Sequence, residues 1–104
     1  MSFLMEFAMF PTDRGESVSK EVSQVIDTIR KLTDNYQLTA MGTIVETDTM
    51  EEALDIIKAC YYTLEKLGAK RVYSSIKFDI RQGKSNRLKT KIESIRNKIG
   101  EVNH

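Results

Sequence analysis

Glu6 and Glu46 are carboxylates set in apolar or β-rich runs, FLMEFAMF and MGTIVETD, and they frame the chemistry open to this chain. An ionised carboxylate buried without a partner is strongly unfavourable, so each must face water, a cation or a ligand. Strand alternation groups Glu6 with Leu4 and Ala8, opposite Phe3, Met5 and Phe7. The larger apolar set belongs under helices, which turns Glu6 to the open side of a sheet. Glu46 follows the same logic beside Val45 and Ile44 on the neighbouring central strand. A third run, RVYSSIKFDIR, puts Arg71, Tyr73, Ser75, Lys77, Asp79 and Arg81 on one face and Val72, Ser74, Ile76, Phe78 and Ile80 on the other. Two carboxylates, several cations and the hydroxyls of Ser75 and Thr43 are therefore expected on one sheet face. Such a set can hydrogen-bond a polar, partly cationic heterocycle. It can equally be a salt-bridge network that fixes an oligomer interface, and Glu6 taken alone reads as a cross-sheet partner of Lys77, Arg71 or Arg81.

Catalytic patterns are weak. The single histidine, His104, is the last residue, and the single cysteine, Cys60, falls on the apolar side of a helix, as a buried structural thiol does. There is no phosphate-binding glycine loop and no metal-ligand spacing. DRGES, Asp13 to Ser17, precedes a helix start where an anion can bind, a pattern most loops use only for capping. From Arg81 onward the chain has seven basic and two acidic residues. RNA-binding sheets of this kind display aromatic residues on their central strands, a signature missing here, so a solvated helix face explains the charge better.

The elements that carry these residues follow from periodicity. Phe3 to Phe10 reads as a central strand ended by Pro11. Val18, Val22, Val25, Ile26, Ile29 and Leu32 recur at helical spacing after Ser17, the expected cap. QLTAMGTIVETD reads as a strand, a tight turn at Gly42 and a second strand. Thr49 and Glu52 form a capping box for a helix with Met50, Ala53, Leu54, Ile57, Tyr61 and Leu64 on its apolar face, stopped by Gly68. The strand from Arg71 to Arg81 follows, then a helix from Ser85 with Leu88, Ile92, Ile95 and Ile99 on one side. The order predicts an α+β fold: a ferredoxin-like βαββαβ sandwich with a four-stranded antiparallel sheet, central first and third strands, and an added C-terminal helix.

At 104 residues, 40% hydrophobic and 30% charged with a net charge of +1, the chain reads as one domain, residues 1–104, with no pull toward nucleic acid or anionic membrane. Its apolar start lacks a basic leader and is too short to span a bilayer, so a cytoplasmic location is expected. The long edge strand has no proline to block pairing, and two helices cover only one sheet face. Both features predict a homo-oligomer built on sheet edges or faces.

Four stretches in order, after a proline-ended first strand, carry a family resemblance: Gly15–Ser19 as G-x-S-V-S, Met41–Glu46 as M-G-T-x-x-E, Leu67–Val72 as L-G-A-x-R-V and Ile76–Arg81 as I-K-x-D-x-R. Together they resemble the small thiamine-binding protein family, formerly an uncharacterised protein family, over essentially the whole chain. The resemblance implies a ferredoxin-like fold assembled into dimers or tetramers, and a non-catalytic cytoplasmic role without metal or cofactor. Its implied ligand is thiamine or the hydroxymethylpyrimidine moiety. On that reading Glu46 is the ligand carboxylate, Thr43 and Ser75 the hydroxyl partners, and Met41 and Tyr73 the walls, with Glu6 close by. Arg71, Lys77, Asp79 and Arg81 then orient the site or hold subunits together. The rival is an oligomeric interaction or regulatory domain with a different ligand or none.

Overall fold

In the computed structural model, which describes residues 1–104, the alternating runs become the strands β1 (Ser2–Pro11), β2 (Tyr36–Leu38), β3 (Thr43–Thr47) and β4 (Val72–Arg81). The helices are α1 (Ser19–Leu32), α2 (Met50–Lys66) and α3 (Arg87–Ile99). The strands form one antiparallel sheet in the order β2-β3-β1-β4, the ferredoxin-like βαββαβ arrangement with an extra helix. As expected, β1 and β3 are central. None of the helices is long and apolar enough to cross a membrane.

The core lies between the sheet and the α1–α2 layer. Met5, Phe7 and Met9 of β1 and Val45 of β3 meet Val25 and Ile29 of α1 and Ala53, Ile56, Cys60 and Leu64 of α2. Burial of these side chains contributes roughly 1.5–3 kcal/mol for each large one. Cys60 is fully enclosed, and burial pushes its thiol up to about 12, which keeps it protonated. The buried arc of α2 is narrower than its sequence pattern predicts. Leu54 and Tyr61 are about half exposed, because they sit roughly 100–120° around the helix from Cys60. Thr63 marks the α1 side of α2 through its hydroxyl contact with Thr28, 2.7 Å, so Leu54 and Tyr61 project from the opposite flank.

Helix ends explain two shifted boundaries. Thr49 caps α2 as predicted, accepting from the Glu52 N–H at 3.1 Å. The end of α2 also agrees: Gly68 takes φ +84°, and the Gly68 and Ala69 amides return to the carbonyls of Glu65 and Leu64. Ser17 is not the cap of α1, however. The helix starts at Ser19 with Val18 in the cap position and no side-chain cap bond. The preceding loop is fixed from elsewhere: Asp13 accepts from the Lys70 N–H at 2.9 Å, which lowers its pKa, and Arg14 donates to the Leu67 carbonyl. Likewise α3 starts at Arg87, after Asn86 in a left-handed conformation, φ 56°, and not at Ser85.

Candidate functional site

The strand register settles which side chains share the open face. Glu6 stands opposite Lys77 on one side and Ile44 on the other, and Gln37 of β2 continues that row. One row toward the chain start, Leu4 stands between Glu46 and Asp79, and Ser2 stands opposite Arg81. In the other direction lie Ala8 with Ser75 and Phe10 with Tyr73. The Phe10 and Tyr73 rings are 5.6 Å apart and tilted by 41°. Arg71 lies just before β4, where its carbonyl accepts from the Thr12 N–H at 2.8 Å. Glu6, Ser75, Tyr73, Lys77, Asp79, Arg81 and Glu46 are thus brought to one face.

Thr43 is not on that face. It stands three residues from Glu46, so strand alternation sends it to the helix side, opposite Phe7, where it is 4% exposed. The expected pairing of Thr43 with Ser75 on one surface is corrected accordingly. Glu6 is exposed and faces Lys77 without closing an ion pair; the carboxylates that do pair are Asp13, Asp27, Asp79 and Glu101.

Glu46 is buried, at 4% exposure, because α3 crosses the open face above it. One carboxylate oxygen accepts from the Arg87 N–H at 3.0 Å and from the Ser2 hydroxyl; the other accepts from the Leu88 N–H at 3.1 Å. These amides open α3, which has no side-chain cap of its own. A strand carboxylate therefore does the work of an N-cap and meets the positive end of the helix dipole. Burial alone would raise the Glu46 pKa; the hydrogen bonds from Ser2, Arg87 and Leu88 outweigh it and hold the group below its ordinary value.

Arg87, itself buried, completes the arrangement. Its guanidinium donates to the Ser2 hydroxyl at 2.8 Å, the Ser2 carbonyl at 3.0 Å and the Asp79 carbonyl, and pairs with the Asp79 carboxylate at 3.0 Å. Lys91 adds a second cation at 3.1 Å from Asp79, and the Lys91 and Arg87 contacts lower the Asp79 pKa. Arg87 was invisible as a site residue in the sequence, since its partners lie 85 and 8 positions away.

A cavity of about 270 Å³ opens where β1 outruns β3. Its walls are Phe7 to Phe10 of β1, Val22, Val25 and Ile26 of α1, and Leu38 to Thr43 of the β2–β3 turn. No charged residue lines it. The Thr39 hydroxyl is consumed by the turn, accepting from the Gly42 and Met41 amides and donating to the Gly42 carbonyl. The Thr43 hydroxyl takes no part in these turn bonds, and Met41 stands at 91% exposure at the turn. Met41 and Thr43 are thus brought together, and Ala8 and Phe10 link their cavity to Ser75 and Tyr73 on the open face. The sequence held one signal for this space: the first strand is twice as long as the third, 10 residues against 5.

Together these features define a ferredoxin-like domain with an apolar cavity at a free strand edge, the kind of concave recess in which small molecules bind. The particular family is given by comparison: residues 5–96 match the model of the thiamine-binding protein family, and the chain belongs to that family. A UPF0045 protein of Methanocaldococcus jannaschii is 34% identical over 90 residues, covering 86% of this chain and 88% of that protein. A crystal structure of a hypothetical protein from the same organism superposes with a TM-score of 0.77 at 33% identity, covering 90% of this chain and 95% of the other. A candidate thiamine biosynthesis or salvage protein of Thermotoga maritima shares the fold, with a TM-score of 0.78 at 21% identity over 92% of this chain and all of that one.

Proposed function

We propose that this chain is a non-catalytic, cytoplasmic binding protein for thiamine or its hydroxymethylpyrimidine portion. Family membership across residues 5–96 is the observation that carries this reading. The cavity beside β1 supports it: its apolar walls suit a flat heteroaromatic ring, and Met41 and Thr43 border it. Ser75 and Tyr73 flank its open-face side. Glu46 spends both carboxylate oxygens on α3 and Ser2, so the role of ligand carboxylate passes to Glu6, exposed and unpaired one row away. A thiazolium cation placed over the open face would be favoured by that charge and by the Tyr73 ring. Isothermal titration with thiamine and with hydroxymethylpyrimidine tests the reading. Saturable heat and thermal stabilisation are expected; neither appearing at millimolar ligand would refute it.

The far edge of the sheet favours self-association. The outer edge of β4 is unpaired over its ten residues, Ile76 and Ile80 on its helix side are 40% and 47% exposed, and α2 packs on β1 and β3 instead of covering them. Exposed isoleucines beside a free strand edge, with Leu54 and Tyr61 likewise half exposed on α2, are the pattern of a two-fold strand-pairing interface. On this reading Lys77 and Arg81 hold such subunits in register. Sedimentation showing only monomer at micromolar concentration would overturn this part.

A further inference from the structure

The cavity wall formed by β1 has a polar component that its apolar side chains conceal. The Thr12 N–H bonds to the Arg71 carbonyl where the β1–β4 register continues past Pro11, so even-numbered residues of β1 aim their peptide groups at β4. Pro11 agrees, since it has no N–H to give and occupies a position aimed the other way. Odd-numbered residues therefore aim their peptide groups at β3. Phe7 is the last of them with a β3 partner, Thr43. Two residues further on, the N–H and C=O of Met9 point out of the ladder at the place where the cavity opens. Nothing in the chain continues the sheet there, because the β2–β3 turn closes on itself through Thr39 and Gly42.

Resting on the reading of the chain as a thiamine-binding protein, we infer that the main-chain N–H and C=O of Met9 read the aminopyrimidine ring, with the hydroxyl of Thr43, a cavity-lining residue, as the third polar contact. A strand residue offers a donor and an acceptor side by side on the same edge. An aminopyrimidine offers the complement: a ring nitrogen that accepts and, on the neighbouring carbon, an amino group that donates. The ring would extend β1 as a short strand does, lying between the apolar side chains of α1 and those of the turn. Gly42 lets the turn approach this edge, since a Cβ there would stand 3.1 Å from the Phe7 carbonyl oxygen. The cavity's lack of charged side chains favours the neutral pyrimidine and leaves the thiazolium outside, toward Glu6.

The test uses the full chain with three ligands: thiamine, hydroxymethylpyrimidine, and the thiamine analogue whose 4-amino group is replaced by a 4-oxo group. The analogue sets oxygen against the Met9 carbonyl, and roughly tenfold or greater weakening is expected. Amide NMR should show the Met9 N–H shifted and protected from exchange by thiamine but not by the analogue. Thr43→Val, which keeps the side-chain volume, should weaken hydroxymethylpyrimidine by roughly fivefold. Thiamine binding with an unperturbed Met9 amide, or with equal affinity for the 4-oxo analogue, overturns the Met9 assignment and leaves the binding reading intact. No binding of either natural ligand overturns both.

Discussion

Replacing Glu46 with alanine tests whether one strand carboxylate anchors α3. The substitution removes the acceptor for the Arg87 and Leu88 amides, a capping loss worth about 1–2 kcal/mol. It also leaves the buried Ser2 hydroxyl without an acceptor, for about 1 kcal/mol more. The sum is about 2–3 kcal/mol, or a fall in Tm of roughly 10–20 °C if α3 and the sheet unfold together. Leu88 and Ile92 are the only half-buried apolar residues of α3, while Ile95 and Ile99 are 48% and 72% exposed. The helix can therefore come away before the sheet melts, and the global loss is then capped at the free energy of docking α3. Hydrogen exchange resolves the two cases by segment. Amides of 87–99 should lose protection in Glu46→Ala, with Glu46→Gln intermediate because it keeps one acceptor oxygen. If α3 stays as protected in Glu46→Ala as in the native chain, the capping argument is wrong.

The depressed pKa of Glu46 makes the same contact pH-dependent: its stabilisation is complete above the ordinary carboxylate range and is lost as pH falls through the lowered folded value, so acid melts should show α3 released first and Glu46→Gln should flatten that limb. Cys60, enclosed and with its thiol pushed up to about 12, should resist thiol reagents at neutral pH until the protein unfolds, measured by the rate of disulfide exchange with and without denaturant. Gly68→Ala should cost about 1–2 kcal/mol in a denaturant melt, because the left-handed turn at φ +84° crowds a Cβ. Ile80→Lys should abolish self-association in sedimentation while leaving Tm of the monomer within a few degrees, as its side chain is already 47% exposed.

What the sequence made legible divides along the range of the interactions involved. Strand faces have a period of two, so the inward set of β1 and the outward row Tyr73, Ser75, Lys77, Asp79 and Arg81 could be read directly, and so could the outward turn of Glu46. The capping box at Thr49 and the glycine stop at Gly68 are local and were equally plain. Parity also fixes Thr43 opposite Glu46; grouping it with Ser75 weighed hydroxyl chemistry above alternation. The starts of α1 and α3 are not local matters. Lys70 and Leu67 pin the loop before α1, and Glu46, more than forty residues away in sequence, supplies the cap of α3. No window around Ser17 or Ser85 holds that information.

The cap of α3 also decides what the open face is left to do. An uncovered four-stranded sheet would present one continuous surface from Ser2 to Phe10. With α3 tied down at Glu46 and Asp79, the end around Ser2 and Leu4 is closed, and Leu4 is 9% exposed. The adjacent row, Gln37, Ile44, Glu6 and Lys77, is the first beyond the row that holds Glu46, so the helix anchor sets one boundary of the remaining surface. The other boundary is the cavity at the free edge of β1. Between them lie one unpaired carboxylate, a serine hydroxyl and two aromatic rings, next to an apolar recess without charge. A ligand with a cationic part and a flat, neutral, hydrogen-bonding part meets both environments at once, whereas a wholly polar or a wholly apolar molecule satisfies only one.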